Sequence, residues 1–285
     1  MEQLSLFAPD PDAVSAAVKS AGDRPVRMTV LIVVKAAPNP SARYGETVCV
    51  AGIRLDLEHP GWVRLYPINF RELDEDASFK KYDVVSVEAR PSHGDSRTES
   101  WRPLMDTLVR QKHLREWPHR APYIADHIAD SMCGLIAGVR ERPPARSLAA
   151  IRPVKVAGID IVRHPGWTRA EQAKIDGYVS QLELPGMERG PRTALEAPRF
   201  KGWYRYICSA PACPGHRQGI YDWEWVALQR NPALKGRSDD DIKAALREKF
   251  FTMMCAPDRD LLLFVGNLAK RQQAFMVLGA FYPRR

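Results

Sequence analysis

The feature that most limits the fold is a set of four apolar, β-branched segments packed into the first third of the chain. Residues 28–36 read MTVLIVVKA, and ETVCVAGIRL, GWVRLYPINF and YDVVSVEARP follow, each bounded by turn residues. Segments of this length and composition read as strands. Several of them at close spacing predict a small closed or nearly closed β-barrel. Beyond them, Leu104, Leu108 and Val109 begin an apolar stripe. Ile124, Ile128, Met132, Leu135 and Ile136 extend it after Trp117-Pro118, so residues 104–140 are expected to be helical. Residues 151–162 read as another strand and 168–182 as a short helix.

Residues 183–197 are rich in Pro, Gly and charge and suit a linker. After them, RFKGWYRYIC is an aromatic strand, and Asp222 to Arg230 reads as helix. Ser238-Asp239-Asp240-Asp241 matches a capping box opening a helix that runs to about Met254. DLLLFVGNL and AFMVLGAFYP form a final strand pair. The expected class is mixed α/β (α+β): a tail over 1–25, an OB-like β-rich domain with a helical insertion over 26–182, and a smaller zinc-stabilised α/β module over 198–285.

Zinc enters through the stretch YICSAPACPGHRQGIYDWEW. It places Cys208, Cys213 and His216 as C-x4-C-x2-H, with Pro211, Pro214 and Gly215 to bend a short loop. Thiolate and imidazole are the ligands zinc takes in tetrahedral geometry. Cys255, which ends the capped helix, is the expected fourth ligand. Cys49 and Cys133 lie in apolar stretches and read as small buried hydrophobes. Five cysteines and no signal-like N-terminal stretch argue against a disulfide framework.

Asp222 and Glu224 follow the cysteine loop, and Asp258 and Asp260 precede a buried strand. Carboxylates at strand ends can hold Mg²⁺ for phosphodiester cleavage, which makes a metal-dependent nuclease the alternative function. Asp258 and Asp260 flanking Arg259 read more readily as local caps and pairs. No phosphate-binding glycine loop, nucleophile elbow or HExxH pattern appears, which argues against an NTPase, a serine hydrolase or a zinc protease.

A formal net charge of +8 over 285 residues favours a polyanionic partner. The cations are interleaved with aromatics: Arg43-Tyr44, Arg64-Tyr66, Arg71, Lys80-Lys81, Arg97 and Trp101-Arg102. Such pairing suits single-stranded or distorted nucleic acid. Strand alternation puts Trp62, Arg64 and Tyr66 on one face. That face is either an exposed platform or a core face from which Arg64 snorkels outward.

The stretches KAAPNPSARYGETVCVAGI, GWVRLYPINFREL, KYDVV and DSRTESWRP, with the later cysteine loop, DRDLLLFVGN and FMVLGAFYP, resemble a prokaryotic family with dual OB-like domains. That family is associated with genome-conflict and mobile-element genes. The resemblance implies nucleic-acid transactions and carries no catalytic residues. Near the N-terminus, Gln3-Leu4-Ser5-Leu6-Phe7 resembles the bacterial sliding-clamp-binding motif in all five positions. In that motif an extended peptide seats its Leu and Phe in an apolar pocket and its Gln at a polar subsite. Pro9 and Pro11 keep the following segment extended.

The expected function is therefore nucleic-acid binding, DNA ahead of RNA, with a tether to the clamp, in replication or repair, mobile-element maintenance or anti-phage defence. A non-enzymatic protein adaptor is a further alternative. No apolar run reaches the length of a membrane span, and the expected location is the cytoplasm.

Overall fold

A computed structural model describes Lys19, residues 22–70, Leu73 and residues 78–141, 145–181 and 192–285. The Gln3–Phe7 peptide, Arg71 and most of the expected linker lie outside the described residues.

Six strands come first: β1 (Val26–Lys35), β2 (Asn39–Ser41), β3 (Gly45–Arg54), β4 (Gly61–Ile68), β5 (Asp83–Pro91) and β6 (Ser100–His113). Five of them close a ring in the order β1-β5-β6-β4-β3, with β3 pairing back onto β1. All neighbours are antiparallel except β4 and β6, which are parallel. This is the Greek-key ring of an OB-like barrel, as expected.

The apolar run of β1 is unbroken because both of its faces are covered. Met28, Val30 and Ile32 join Val48, Val50, Val63 and Leu65 in the barrel interior. Leu31 and Val33 point the other way and meet Ala51, Ile53 and Trp62 in a second apolar layer, shared with Leu148, Ala150 and Phe264 from later in the chain. Each fully buried aliphatic side chain of this kind contributes roughly 1.5–3 kcal/mol.

The chain continues as α1 (Trp117–Ala125), β7 (Ile128–Ala129), α2 (Met132–Glu141), β8 (Leu148–Ile151), β9 (Lys155–Arg163), α3 (Arg169–Val179), β10 (Phe200–Ile207), β11 (His216–Gly219), α4 (Trp223–Gln229), α5 (Asp239–Arg247), β12 (Leu262–Leu268) and β13 (Arg271–Phe281). A π-helical stretch, Glu248–Met253, extends α5. Thr168 with Glu171 and Ser238 with Asp241 form complete capping boxes at the starts of α3 and α5. Strands β13-β12-β8-β7 form one sheet and β11-β10-β9 another. The first of these sheets lies against the outside of the barrel. At Gly266 on β12 a Cβ would stand 2.6 Å from Leu278 and 2.9 Å from Leu148 of the same sheet and 3.4 Å from Arg64 of the barrel, so the glycine leaves room for all three side chains.

Two expectations need correction. Residues 104–113 are the second half of β6 and not helix. Leu104 and Leu108 are four apart, a spacing that fits one face of a strand as well as one face of a helix. Pairing with β5 decides the matter and leaves Val109 57% exposed. The division expected near 182–198 also shifts. Strands β7, β8 and β9 pair with β12 and β10, so the strands of the second domain begin at Ile128. Among the described residues no helix is long and apolar enough to cross a membrane.

Candidate functional site

The cysteine loop joins β10 to β11, and its four donors converge. The Nε2 of His216 lies 3.3 Å from Cys208 Sγ, 3.3 Å from Cys213 Sγ and 3.5 Å from Cys133 Sγ. The Sγ atoms of Cys133 and Cys208 are 3.6 Å apart. A tetrahedral ion about 2.3 Å from sulfur and about 2.0–2.1 Å from nitrogen sets ligand edges of about 3.6–3.8 Å. The cluster is close to those dimensions, its cysteines are free thiols, and among the described residues it is the group of acidic, Cys and His side chains gathered tightly enough to hold an ion.

Each donor has a local support. Gly215, with φ of 89°, turns the chain between Cys213 and His216. The backbone N–H of Cys208 donates to Cys213 Sγ at 3.4 Å. Tyr206 stands 5.1 Å from the His216 ring and donates its hydroxyl to Gln218. Burial works against ionising Cys208, but backbone N–H groups of Ala210 and Cys133 and the side chains of His216 and Cys213 outweigh it and hold this thiol down at about 6. Burial and the neighbouring thiols push Cys133 up to about 12.

The fourth donor is Cys133 and not Cys255. Cys133 sits in the first turn of α2, where Ser131 Oγ accepts from the N–H of Gly134. Ser209 Oγ donates to the Asp130 carbonyl and ties the loop to that turn. Cys255 follows the π-helical stretch and donates to the Phe250 carbonyl, while burial pushes its thiol up to about 12. Cys133 comes 75 residues before Cys208, and no local pattern marks it as a ligand. Only the pairing of the β7–β8 region with the last strands brings it there.

The four candidate carboxylates fall into two groups, each engaged by cations. Asp222 caps α4 and accepts from Lys81 Nζ at 2.8 and 2.9 Å. Glu224 accepts from Lys81 at 3.0 Å and from Lys249 at 2.7 Å. Burial opposes the charge on Lys81, but Asp222 and Glu224 outweigh it and raise its pKa. Burial likewise opposes ionisation of Glu224, and Lys81 and Lys249 hold it down at about 2. Asp260 pairs with Arg152, while Asp258 lies 4.0 Å from Arg259 and 3.9 Å from Arg284.

The cations expected on the barrel surface divide sharply. Arg64 is 3% exposed. It donates to the carbonyl and hydroxyl of Ser147 and to Cys49 Sγ, and Ser147 in turn donates to the buried Glu99. Trp62 is buried against Phe264 and His127, and Trp101 is buried beneath Arg54. Arg97 pairs with Asp95 and donates to the Asn267 carbonyl on β12. Lys81 is consumed by Asp222 and Glu224. The platform of Trp62, Arg64 and Tyr66 therefore does not exist as one surface: the second domain covers Trp62 and Arg64, Arg64 does not snorkel out, and Tyr66 alone stays exposed.

What stays open lies at one end of the barrel. Arg43, Tyr44, Pro67, Asn69, Arg102 and Met105 line a cleft of about 580 Å³. Arg43 and Arg102 are exposed, Arg43 lies 5.1 Å over the Tyr44 ring, and Tyr66 beside the cleft is 45% exposed. The amide of Asn69 is buried, and among the described residues neither its nitrogen nor its oxygen has a hydrogen-bond partner. Lys80 is also exposed but lines a different cleft.

Residues 26–126 match the family model described as a domain of unknown function (DUF8758), and residues 128–285 match one described as a domain of unknown function (DUF8757). The two matches meet at residue 127, where strand pairing passes from the barrel to the second domain. No curated protein matches the chain. The second match spans more than half of the chain, which therefore belongs to the DUF8757 family.

Proposed function

We propose that this protein binds nucleic acid, DNA ahead of RNA, in the cleft at the end of its barrel, and that Gln3-Leu4-Ser5-Leu6-Phe7 anchors it to a bacterial sliding clamp. The observation that carries the reading is the cleft itself. On a barrel of OB-like connectivity it joins two exposed guanidinium groups, Arg43 and Arg102, to the Tyr44 ring. Guanidinium groups meet phosphates and a ring stacks a base. In OB folds the loop after the first barrel strand belongs to the oligonucleotide-binding side, and Arg43 and Tyr44 sit on that loop.

The Cys133, Cys208, Cys213 and His216 cluster is read as a structural zinc site. Three sulfurs and one imidazole leave no ligand position open for substrate, which suits a closed site rather than a catalytic one. Its role is to fix the β10–β11 loop to α2 within the second domain. Clamp binding would place the protein in the cytoplasm on replicating DNA, in repair, mobile-element maintenance or defence.

Fluorescence anisotropy of a labelled single strand, titrated in rising salt, tests the binding. Removing the two guanidinium groups in Arg43→Ala/Arg102→Ala should weaken affinity and reduce the salt slope by about 1.4, at about 0.7 for each phosphate contact. Salt-insensitive binding, or none, contradicts the reading. Clamp binding that survives Leu6→Ala/Phe7→Ala would remove the anchor.

A further inference from the structure

A second cleft, of about 430 Å³, lies between the barrel and the second domain, next to the Lys81–Asp222–Glu224 cluster. Its volume is within the range of small-molecule sites, about 300–1,000 Å³, and far exceeds what one inorganic anion fills. One side is cationic. Lys35, at the end of β1, and Lys80 both line it. The other side is aromatic, formed by Trp117 of α1 and Tyr282 after β13.

Among the described residues the charges there do not balance. Both oxygens of Glu224 are taken by Lys81 and Lys249, and both oxygens of Asp222 by Lys81. Asp83 accepts from the backbone N–H of Lys80 and pairs with His113 at 2.7 Å. Arg120 donates to the carbonyls of Leu114 and Arg115 and stacks 3.8 Å over Tyr82. That leaves Lys35 and Lys80 with no carboxylate hydrogen-bonded to either ammonium among the described residues. Lys35 instead lies 3.7 Å over the Phe70 ring and 4.6 Å over Trp223. Ring faces compensate a desolvated ammonium only in part. Burial first, and then Lys81, depress Lys35 to about 8.

The backbone adds an independent sign. Tyr82, on the wall of this cleft, has φ of 69°, a left-handed conformation that a bulky residue adopts at a cost of roughly 1–3 kcal/mol. It is held there by its N–H donating to Ile32 and its carbonyl accepting from Leu114. Strain of this kind gathers where a wall must be shaped for a ligand.

We infer that this cleft binds a nucleoside monophosphate unit, with its phosphate between Lys35 and Lys80 and its base against Trp117. The unit is either a free nucleotide or the phosphorylated terminal residue of a strand. The inference stands apart from the barrel-end cleft, which shares no lining residue with this one.

The test is calorimetric titration of the full chain with deoxyadenosine 5′-monophosphate, deoxyadenosine and inorganic phosphate, and with an oligonucleotide carrying or lacking a 5′-phosphate. The nucleotide or the phosphorylated end should bind at least about tenfold more tightly than the same molecule without its phosphate. Lys35→Met keeps the apolar stem and removes the charge. Lys80→Ala changes an exposed position and leaves the fold intact. Each should weaken binding by about tenfold. Tighter binding of the phosphorylated end than of the free nucleotide identifies the strand as the source, and the reverse identifies the nucleotide. No saturable binding of either, or binding unchanged in both variants, overturns the inference. The Arg43→Ala/Arg102→Ala variant should retain this binding, which separates its failure from failure of the barrel-end cleft.

Discussion

The two sides of the barrel carry the same chemistry, cations beside aromatics, and meet opposite fates. Trp62, Arg64 and Trp101 are buried. Arg64 lies beneath the sheet of the second domain, 3.4 Å from where a Cβ on Gly266 would be, with its donors on Ser147 and Cys49. Arg43, Tyr44 and Arg102 line an open cleft. The difference teaches that an Arg next to an aromatic residue describes a surface only once the covering elements are known. In the first case the guanidinium holds two domains together. In the second it is free for a phosphate.

If the covered side depends on the second domain, whatever loosens that domain should expose it. The largest effect is expected from the Cys133, Cys208, Cys213 and His216 cluster, where an ion would add its binding energy to folding. Chelation, or Cys133→Ala, should lower the melting temperature sharply and speed hydrogen exchange in β8 and β12, because binding energy at such sites is folding energy. Cys255→Ala removes a sulfur outside the cluster and should retain the metal at full stoichiometry. Equal metal loss in both variants would break the distinction between them.

Next in size is Asp222→Ala. It leaves Lys81 buried without its main partner and should cost about 3–5 kcal/mol by chemical denaturation. The same cluster sets an acid response. Glu224 is held at about 2, below its ordinary 4.5, so its contribution is complete above about pH 4.5 and is lost as the pH falls toward 2. Glu224→Gln should flatten that arm of the stability profile.

Arg64→Ala comes third. It empties a buried site and leaves the Ser147 carbonyl and hydroxyl without their guanidinium donor, at about 1–3 kcal/mol. Single-strand affinity should stay unchanged at a temperature where the variant is folded. A fall in affinity equal to that of Arg43→Ala/Arg102→Ala would show that the covered side is functional after all.

Much of this organisation is legible in the chain. The β-branched runs mark β1, β3, β4 and β5, and the capping box at Ser238 marks α5. The C-x4-C-x2-H spacing marks three of four converging donors, since those ligands sit on one loop. What the pattern hides is whatever depends on distant pairing. Cys133 reaches the cluster through α2, and β6 looks helical because a four-residue spacing serves both periods. The covering of Arg64 depends on β8 and β12, which lie far along the chain. Asn69 and Lys35 look ordinary in sequence, and only burial without a polar partner among the described residues singles them out.

The most direct test of the open cleft is photo-crosslinking of a halogenated single strand to the full-length protein, with the attached peptides identified by mass spectrometry. Cross-links at Tyr44 or Tyr66 are expected, reduced in Arg43→Ala/Arg102→Ala. Cross-links confined to the second domain, or to Trp62 and Trp101, would contradict nucleic-acid binding at the barrel end.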